Sequence, residues 1–487
     1  MGGLFRRDSK RSGLRGMSME EYIKMLLEQV RFEKAHKAIG DEIRAHIEEQ
    51  IEANVSDGMD RVTAEKKAVE DMGDPMEVGM SLDRVHRPQI AWGLIIAAMT
   101  IGAVGAMIRM TVAYSEYDDF VIAINAFFGI SLMLLAFLVD YTTILKYSKL
   151  LAAVLIVGMV LNQAIYSHGP EGNFFWQPYS ITRVVFTTLF VLFIPLYSGI
   201  IYRYRGQAYK GLIKAVLWIV IPCMYMSSRL EGHAALHVMM IALSLLAQLT
   251  IAIKKGWFEI PQKKVIASLW AAFAIFPGNL MIELRNCFPD SRLINVRHVM
   301  DRLKPLGCGV VYLNLGENVT MAASSYFGVK TGEHVLLYIC SDWGWLIGLT
   351  VILSVVGLIV FGFIALSKIK NQVGIAMGSG CLIWLTANAV ANLLAGFGLF
   401  STTYIGDTFF PFISDSNVIV SYVFLGIILS IYKYKNAYSQ HVDIKAQSGV
   451  QLKLLNYELD IRLRKEVKEE KKALIKQKMG EIIYDKK

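Results

Sequence analysis

Ten runs of roughly twenty apolar residues fill the middle of the chain, at about 89–114, 119–139, 146–166, 183–202, 211–228, 233–253, 264–283, 334–367, 373–398 and 412–432. An α-helix needs about 20 apolar residues to cross roughly 30 Å of hydrocarbon. No water is available there, so each peptide group must find its partner inside its own helix. The pattern predicts an all-α, polytopic membrane protein with about ten transmembrane helices. Composition agrees, because 54% of the 487 residues are hydrophobic and only 19% are charged, a balance soluble domains rarely show. The eighth run is long enough to tilt or to extend beyond the bilayer.

Charge is concentrated outside this core, in residues 1–88 and 433–487. The net charge of +9 is accounted for by basic flanks of membrane spans, and no nucleic-acid partner is expected. Lys146 and Lys149 follow the second span, and Arg203, Arg205, Lys210 and Lys214 follow the fourth. Lys254, Lys255, Lys263 and Lys264 follow the sixth, and Lys368 and Lys370 the eighth. The alternate loops at 115–118 and 167–182 carry almost no Lys or Arg. An every-other-loop bias of this kind places the basic loops, and both termini, in the cytoplasm. The 284–333 loop then faces outward; it carries several Arg, which long loops tolerate. The first 88 residues are polar, so no cleavable signal is expected.

The expected organisation is a basic arm at 1–16, a small cytoplasmic helical domain at 17–88, the ten-span body at 89–432 and a charged helical tail at 433–487. In the small domain, Tyr22, Met25, Leu26 and Val30 recur at helical spacing on one face. Gly73-Asp74-Pro75 ends one helix and starts the next. His46 is a lone imidazole on a helix surface, and no metal site is expected. The tail alternates Lys, Arg and Glu around Leu454, Leu455, Leu463 and Ile475. That suits a solvated helix or one resting on anionic lipid or a partner, as the arm's Arg6, Arg7, Lys10, Arg11 and Arg15 also would. Cys223, Cys340 and Cys381 lie in apolar runs as small hydrophobes, whereas Cys287 and Cys308 share the outer loop. A disulfide between those two would hold the loop by about 3 kcal/mol.

Four segments depart from plain lipid-facing sequence. Trp176-Gln177-Pro178-Tyr179-Ser180-Ile181-Thr182-Arg183 opens the fourth span; its Arg either snorkels to the boundary or faces a polar cavity and binds an anionic group. Lys330-Thr331-Gly332-Glu333-His334 enters the eighth span, with Asp342-Trp343-Gly344-Trp345 deeper in. Partial desolvation raises a boundary carboxylate toward the range where it accepts a proton at neutral pH. Asn388, Asn392, Gly396 and Gly398 in the ninth span suit close helix packing with interhelical hydrogen bonds. Gly406-Asp407 through Pro411-Phe412-Ile413-Ser414-Asp415-Ser416-Asn417 forms a turn and helix start, where Ser414 or Asp415 caps or lines a cavity.

Taken together, residues 85–435 resemble the SEDS (FtsW/RodA/SpoVE) family. Gln177-Pro178 to Arg183 matches the spacing of its Gln-Pro-Ser-Glu-Phe-Ala-Lys motif. Gly332-Glu333 and Asp342-Trp343-Gly344 fall at its Thr-Asp and Glu-x-Gly elements. Asn392, Gly398-Leu399 and Pro411-Phe412-Ile413-Ser414 match its Asn-(x)5-Gly-Leu and Pro-Phe-Ile-Ser. Several elements depart from the pattern: Glu333 replaces the catalytic Asp, Ser180 the motif's Glu, and Ser414-Asp415-Ser416-Asn417 the Ser-Tyr-Gly-Gly run. Residues 17–88 are similar to the permease-prefix (HAAS-type) domain, through Glu42-Ile43-Arg44-Ala45-His46-Ile47, Ala64, Ala68, Met72-Gly73-Asp74-Pro75 and His86-Arg87-Pro88.

The first resemblance implies a peptidoglycan glycosyltransferase in the bacterial cytoplasmic membrane, polymerising lipid II at the outer face during division, elongation or sporulation. Glu333 would be the catalytic base. Arg183, Gln177, Trp176, Arg297, Arg302, Lys304, Asp342, Ser414 and Asp415 would bind substrate, with Arg292 a further loop cation. Implied partners are membrane lipids, the undecaprenyl-linked substrate, and a penicillin-binding transpeptidase or other cell-wall machinery. No cofactor is required, and a divalent cation is left open. A non-catalytic scaffold and a flippase or transporter stand as alternatives. The prefix resemblance implies a docking or regulatory module without chemistry.

Overall fold

The computed structural model describes residues 17–112, 116–167, 190–229, 235–287, 345–396, 410–413, 418–438, 449–454 and 457–462. Four helices form the head: α1 (Met19–Glu28), α2 (Glu33–Ser56), α3 (Arg61–Asp71) and α4 (Pro75–His86). Their boundaries follow from capping chemistry. Ser18 accepts from Glu21 N–H while Glu21 bonds back to Ser18 N–H, a reciprocal capping box. Asp60 and Asp74 cap α3 and α4, and Pro75 takes the first helical position, where no N–H is needed. Gly73 ends the preceding turn at φ +82°, a conformation that favours glycine.

Tyr22 and Leu26 of α1, with Val30 just beyond its end, are buried against Ala35, Ile39 and Ile47 of α2 and Ala68 and Val69 of α3. Met25, expected on the same face, is 37% exposed. The buried stripe therefore follows the i, i+4, i+8 row and leaves Met25 on its flank. Gly79 lets α4 approach α1 closely, since a Cβ there would lie 2.6 Å from the Leu26 carbonyl oxygen. Asp83, nearly buried, accepts from Arg31 N–H at 3.0 Å, Nε at 3.2 Å and Nη2 at 2.8 Å, with Arg87 at 3.6 Å. These bonds, those from the Arg31 side chain foremost, hold the Asp83 carboxyl below its ordinary value.

Among the described residues, ten apolar helices follow: α5 (Trp92–Val112), α6 (Glu116–Leu138), α7 (Tyr141–Ser167), α8 (Phe193–Tyr202), α9 (Ala208–Arg229), α10 (Ala235–Lys254), α11 (Gln262–Cys287), α12 (Trp345–Ser367), α13 (Gln372–Gly396) and α14 (Val418–Lys433). One falls within or across each predicted span. Stretches in α7, α9, α10, α12 and α13 are long and apolar enough to cross a membrane, and those in α5, α6, α8 and α14 are shorter over the described residues. The architecture is that of a polytopic membrane protein with a helical body and a helical head.

Contacts order the ends of the helices. Gln89 N–H bonds to the Lys433 carbonyl, so α5 begins where α14 ends, beside the head. Gly206 N–H bonds to the Trp257 carbonyl, and Trp257 Nε1 donates to Gln372 Oε1 at 2.7 Å. The links after α8, after α10 and before α13 thus meet at this same head-side end. Small residues allow close helix approach. Tyr422 of α14 seats against Gly102 of α5 and Gly129 of α6, and Gly426 lies against the Met133 carbonyl of α6. Cys223 and Cys381 are free and buried in α9 and α13.

Residues 443–487 are a separate unit. Where the sequence suggested a helix, the chain forms an antiparallel hairpin of β1 (Gly449–Leu454) and β2 (Tyr457–Arg462). The register sets Val450 opposite Ile461, Leu452 opposite Leu459 and Lys453 opposite Glu458. Gly-Val-Gln-Leu-Lys-Leu alternates with period two, and over so short a run that alternation outweighs the helical spacing of leucines across the whole tail.

Two outcomes are expected. Gly426→Val should lower the thermal midpoint of the purified protein, by overpacking worth about 2 kcal/mol, as read by a thermal-shift assay. Asp83 contributes stability that is full above its unfolded value near 4 and lost as pH falls through its lower folded value. Protection of the head amides, corrected for the intrinsic exchange rate at each pH, should fall below about pH 4 in the wild type, and Asp83→Asn should be less protected already at neutral pH and lose less on acidification.

Candidate functional site

At the end of the bundle away from the head, the described part of the fourth unusual segment packs against α12 and α13. Phe410 and Ile413 pack with Val351, Val355 and Ile359 of α12 and with Ala389 of α13, and Ile101 and Leu393 close the cluster. Helix α12 begins at Trp345, directly after Asp342-Trp343-Gly344. The Pro411-Phe412-Ile413 turn is therefore wedged between the helix that carries Asn388 and Asn392 and the helix into which the Glu333 segment leads. Phe412 holds φ +67°, rare for an aromatic residue. Burial of its ring against Tyr422, at 5.6 Å between centroids, fixes that conformation. Gly105 makes room for the turn, since a Cβ there would lie 2.9 Å from the Phe412 carbonyl oxygen.

Polar side chains line the interior beside this turn. His237 of α10 and Asn388 and Asn392 of α13 are buried. The His237 ring meets Trp384 edge-on at 6.3 Å, and Trp384 meets Phe424 of α14 at 5.2 Å. Asn388 was expected to bond across helices. Instead its Nδ2 donates to the Trp384 carbonyl of its own helix at 2.9 Å, and its Oδ1 has no partner among the described residues. The reason is local: one turn back, that carbonyl lies within reach of a short amide side chain. Nearer the head, Gln248 Nε2 of α10 does cross, donating to the Ile194 carbonyl of α8 at 2.9 Å.

The head-side end is built differently. Asp140, between α6 and α7, is 7% exposed. Its Oδ2 accepts from Lys34 Nζ of the head at 2.6 Å and from the Tyr438 hydroxyl beyond α14. Its Oδ1 accepts from Thr142 N–H at 2.9 Å. Burial, and then the Asp140 charge, hold the Tyr438 phenol above its ordinary value, so it remains a donor. Phe32 of the head stacks on Tyr434 at 5.7 Å, and Asn436 Nδ2 donates to the Val85 carbonyl at 2.9 Å. One carboxylate thus joins the head, the α6–α7 corner and the chain leaving α14.

Trp176, Gln177, Arg183, Arg297, Arg302, Lys304, Glu333, Asp342, Ser414 and Asp415 lie outside the described residues, as do Cys308 and Cys340. No metal-ligating cluster of His, Cys, Asp or Glu occurs among the described residues. Sequence reasoning missed His237, Asp140 and Tyr438. His237 and Asp140 are single polar residues in apolar surroundings, a visible signal in each case. Tyr438 has none, because its role depends on a partner 298 positions away.

Helical spans, a polar interior and a docked helical head define the class: a multi-pass, all-helical membrane protein. No protein-family model matches the chain, and no curated protein matches it. Among solved structures, it is similar to a mutant of the rod shape determining protein RodA from Thermus thermophilus, with TM-score 0.44 and 15% identity over 71% of this chain and 98% of that one. It is also similar to a chain from a structure described as the structural coordination of polymerization and crosslinking by a peptidoglycan synthase complex, with TM-score 0.45 and 17% identity over 71% of this chain and 99% of that one.

Asp140→Ala should cost about 2 kcal/mol, the cost of stranding hydrogen-bonded partners of a charged group. Hydrogen exchange should rise together in the segments around Lys34, Val85 and Tyr438, which a purely local defect would not produce.

Proposed function

We propose that this protein is a SEDS-like polymerase of lipid-linked glycan, acting in a bacterial cytoplasmic membrane at the face opposite the head. The observation that carries this reading is the order and spacing of the four motif-like segments along ten apolar runs. The packing of the Phe410–Ile413 turn supports it, since the last segment then lies against the helix that carries Asn388 and Asn392 and the helix that follows Asp342-Trp343-Gly344 in the chain.

In this reading Glu333 takes the proton of the acceptor sugar hydroxyl. The resulting oxygen attacks the anomeric carbon of the donor as the bond to undecaprenyl pyrophosphate breaks, and the pyrophosphate leaves with the electron pair. Arg183, Arg297, Arg302 and Lys304 offset the pyrophosphate charge, a task for which bidentate Arg is suited. Gln177, Trp176, Asp342, Ser414 and Asp415 complete the substrate contacts. A transpeptidase of the penicillin-binding type is the expected partner, because glycan strands become wall only when cross-linked. The head, similar to a permease-prefix domain, serves as the docking module.

Purified protein given fluorescent lipid II should make polymer, and Glu333→Gln should slow it at least a hundredfold, the scale of losing a general base. Native-rate polymer from that variant would remove Glu333 from the base role. Lipid movement without polymer would place the protein with transporters. Normal growth of cells relying on Glu333→Gln would make it a scaffold.

A further inference from the structure

At the head-side end, where α7, α8 and α9 meet, four cations gather without a carboxylate among the described residues. Lys149 Nζ lies 4.6 Å from the centroid of the Tyr204 ring, and Lys214 Nζ lies 5.5 Å from the same centroid. The ring is buried, and its hydroxyl accepts from Trp218 Nε1 at 2.9 Å, so its position is fixed from α9. Lys214 Nζ also donates to Gln207 Oε1 at 3.0 Å, which leaves its charge unneutralised. Arg203 donates through Nη2 to the Lys146 carbonyl, and its Nε is buried with no partner among the described residues. Lys146, Lys149 and Arg203 are half-buried. Among the described residues every ion pair lies elsewhere, in the head or at Asp140.

An aromatic face attracts a cation but neutralises none, and two ammonium groups sharing one ring repel each other. Partly desolvated cations with no counter-charge make a site that favours an anion. The surroundings decide which kind. Deeper along the same two helices, the side chains turned outward are apolar: Leu150, Leu151 and Val154 on α7, and Ile213, Leu217 and Ile221 on α9, each more than 40% exposed. A cationic notch above an apolar surface on a membrane-spanning helix pair matches a phosphate group carrying acyl chains. It does not match a free anion, which would gain nothing from the apolar flanks.

We propose that this notch binds the phosphate of an anionic phospholipid in the leaflet on the head side, with its acyl chains along α7 and α9. Lys149 and Lys214 provide the charge, and Tyr204 spaces them. The proposal is independent of the polymerase reading, whose substrate would sit at the other end of the bundle.

Native mass spectrometry of the full-length purified protein tests it, with phosphatidylglycerol, phosphatidylcholine of the same chain length and inorganic phosphate as probes. Phosphatidylglycerol should saturate one tight site at lower concentration than phosphatidylcholine, and millimolar inorganic phosphate should not displace it. The double variant Lys149→Gln/Lys214→Gln should raise the concentration for half-occupancy about thirtyfold, roughly fivefold for each basic side chain at an anionic surface. Lys149→Arg/Lys214→Arg should bind as the wild type does, and so should Lys263→Gln/Lys264→Gln, which removes exposed charge elsewhere at the same end. Unchanged binding by the double Gln variant, equal binding of the two lipids, or displacement by phosphate would each overturn the proposal. Should the double variant not fold, Lys214→Gln at its exposed position decides the same question: about fivefold weaker binding is expected, and unchanged binding would overturn the proposal.

Discussion

Hydrocarbon offers the peptide group no partner, and everything else in this membrane body follows from that constraint. Each span closes its backbone bonds within itself. Even the small hydroxyl side chains turn inward to the backbone: Ser244 bonds to the Met240 carbonyl, Thr386 to Leu382 and Ser198 to Pro195. With these hydroxyls bonded inside single helices and side chains such as Gln248 crossing at single points, shape must supply much of the hold between helices. That explains why the closest approaches occur at glycine: Gly102 and Gly129 around Tyr422, Gly426 on α6, Gly199 against Ser148, and Gly378 against Leu366. A side chain at any of these positions would push the packed surfaces apart.

The two ends of the bundle meet water and obey different physics. On the head side, ion pairs and aromatic stacking join distant parts of the chain around Asp140, where Lys34 is still 47% exposed and its charge remains partly solvated. That pairing orients more than it stabilises, because a charge left half in water gains little from its partner. The Phe32–Tyr434 stack and the Asn436–Val85 bond supply the packing. At the far end the described contacts are apolar. They hold an aromatic residue in a left-handed turn, which only a well-packed surrounding can sustain.

The spans were legible because twenty apolar residues in a row admit few alternatives, and the head's boundaries were legible because Ser18, Asp60 and Asp74 are caps by chemistry. What failed was local competition. Asn388 was read as glue between helices, yet its own helix offered a carbonyl one turn away. Met25 fits the helical period but sits at the edge of the buried stripe. The tail's charges and leucines fit a helix over its whole length, while a six-residue alternation decided residues 449–454. The joint at Asp140 was illegible for another reason: it is assembled from positions 34, 140 and 438, and no window along the chain contains them together. The proposed substrate contacts lie in segments bordering the spans, where sequence motifs speak and the described geometry gives only the neighbouring helix ends.

His237 and Asn388 separate a structural interior from a working one. If Asn388 served packing, its amide would bridge to another helix. It bonds to its own backbone instead, and a Leu of similar size would fill the space without burying an amide oxygen. Such an oxygen costs free energy in a dry interior and little where water or a polar ligand can reach it. A buried imidazole on the facing helix adds a second polar group to the same interior. The two residues lie on neighbouring helices, α10 and α13, on either side of Trp384. Burying them costs free energy that a purely apolar span would not incur.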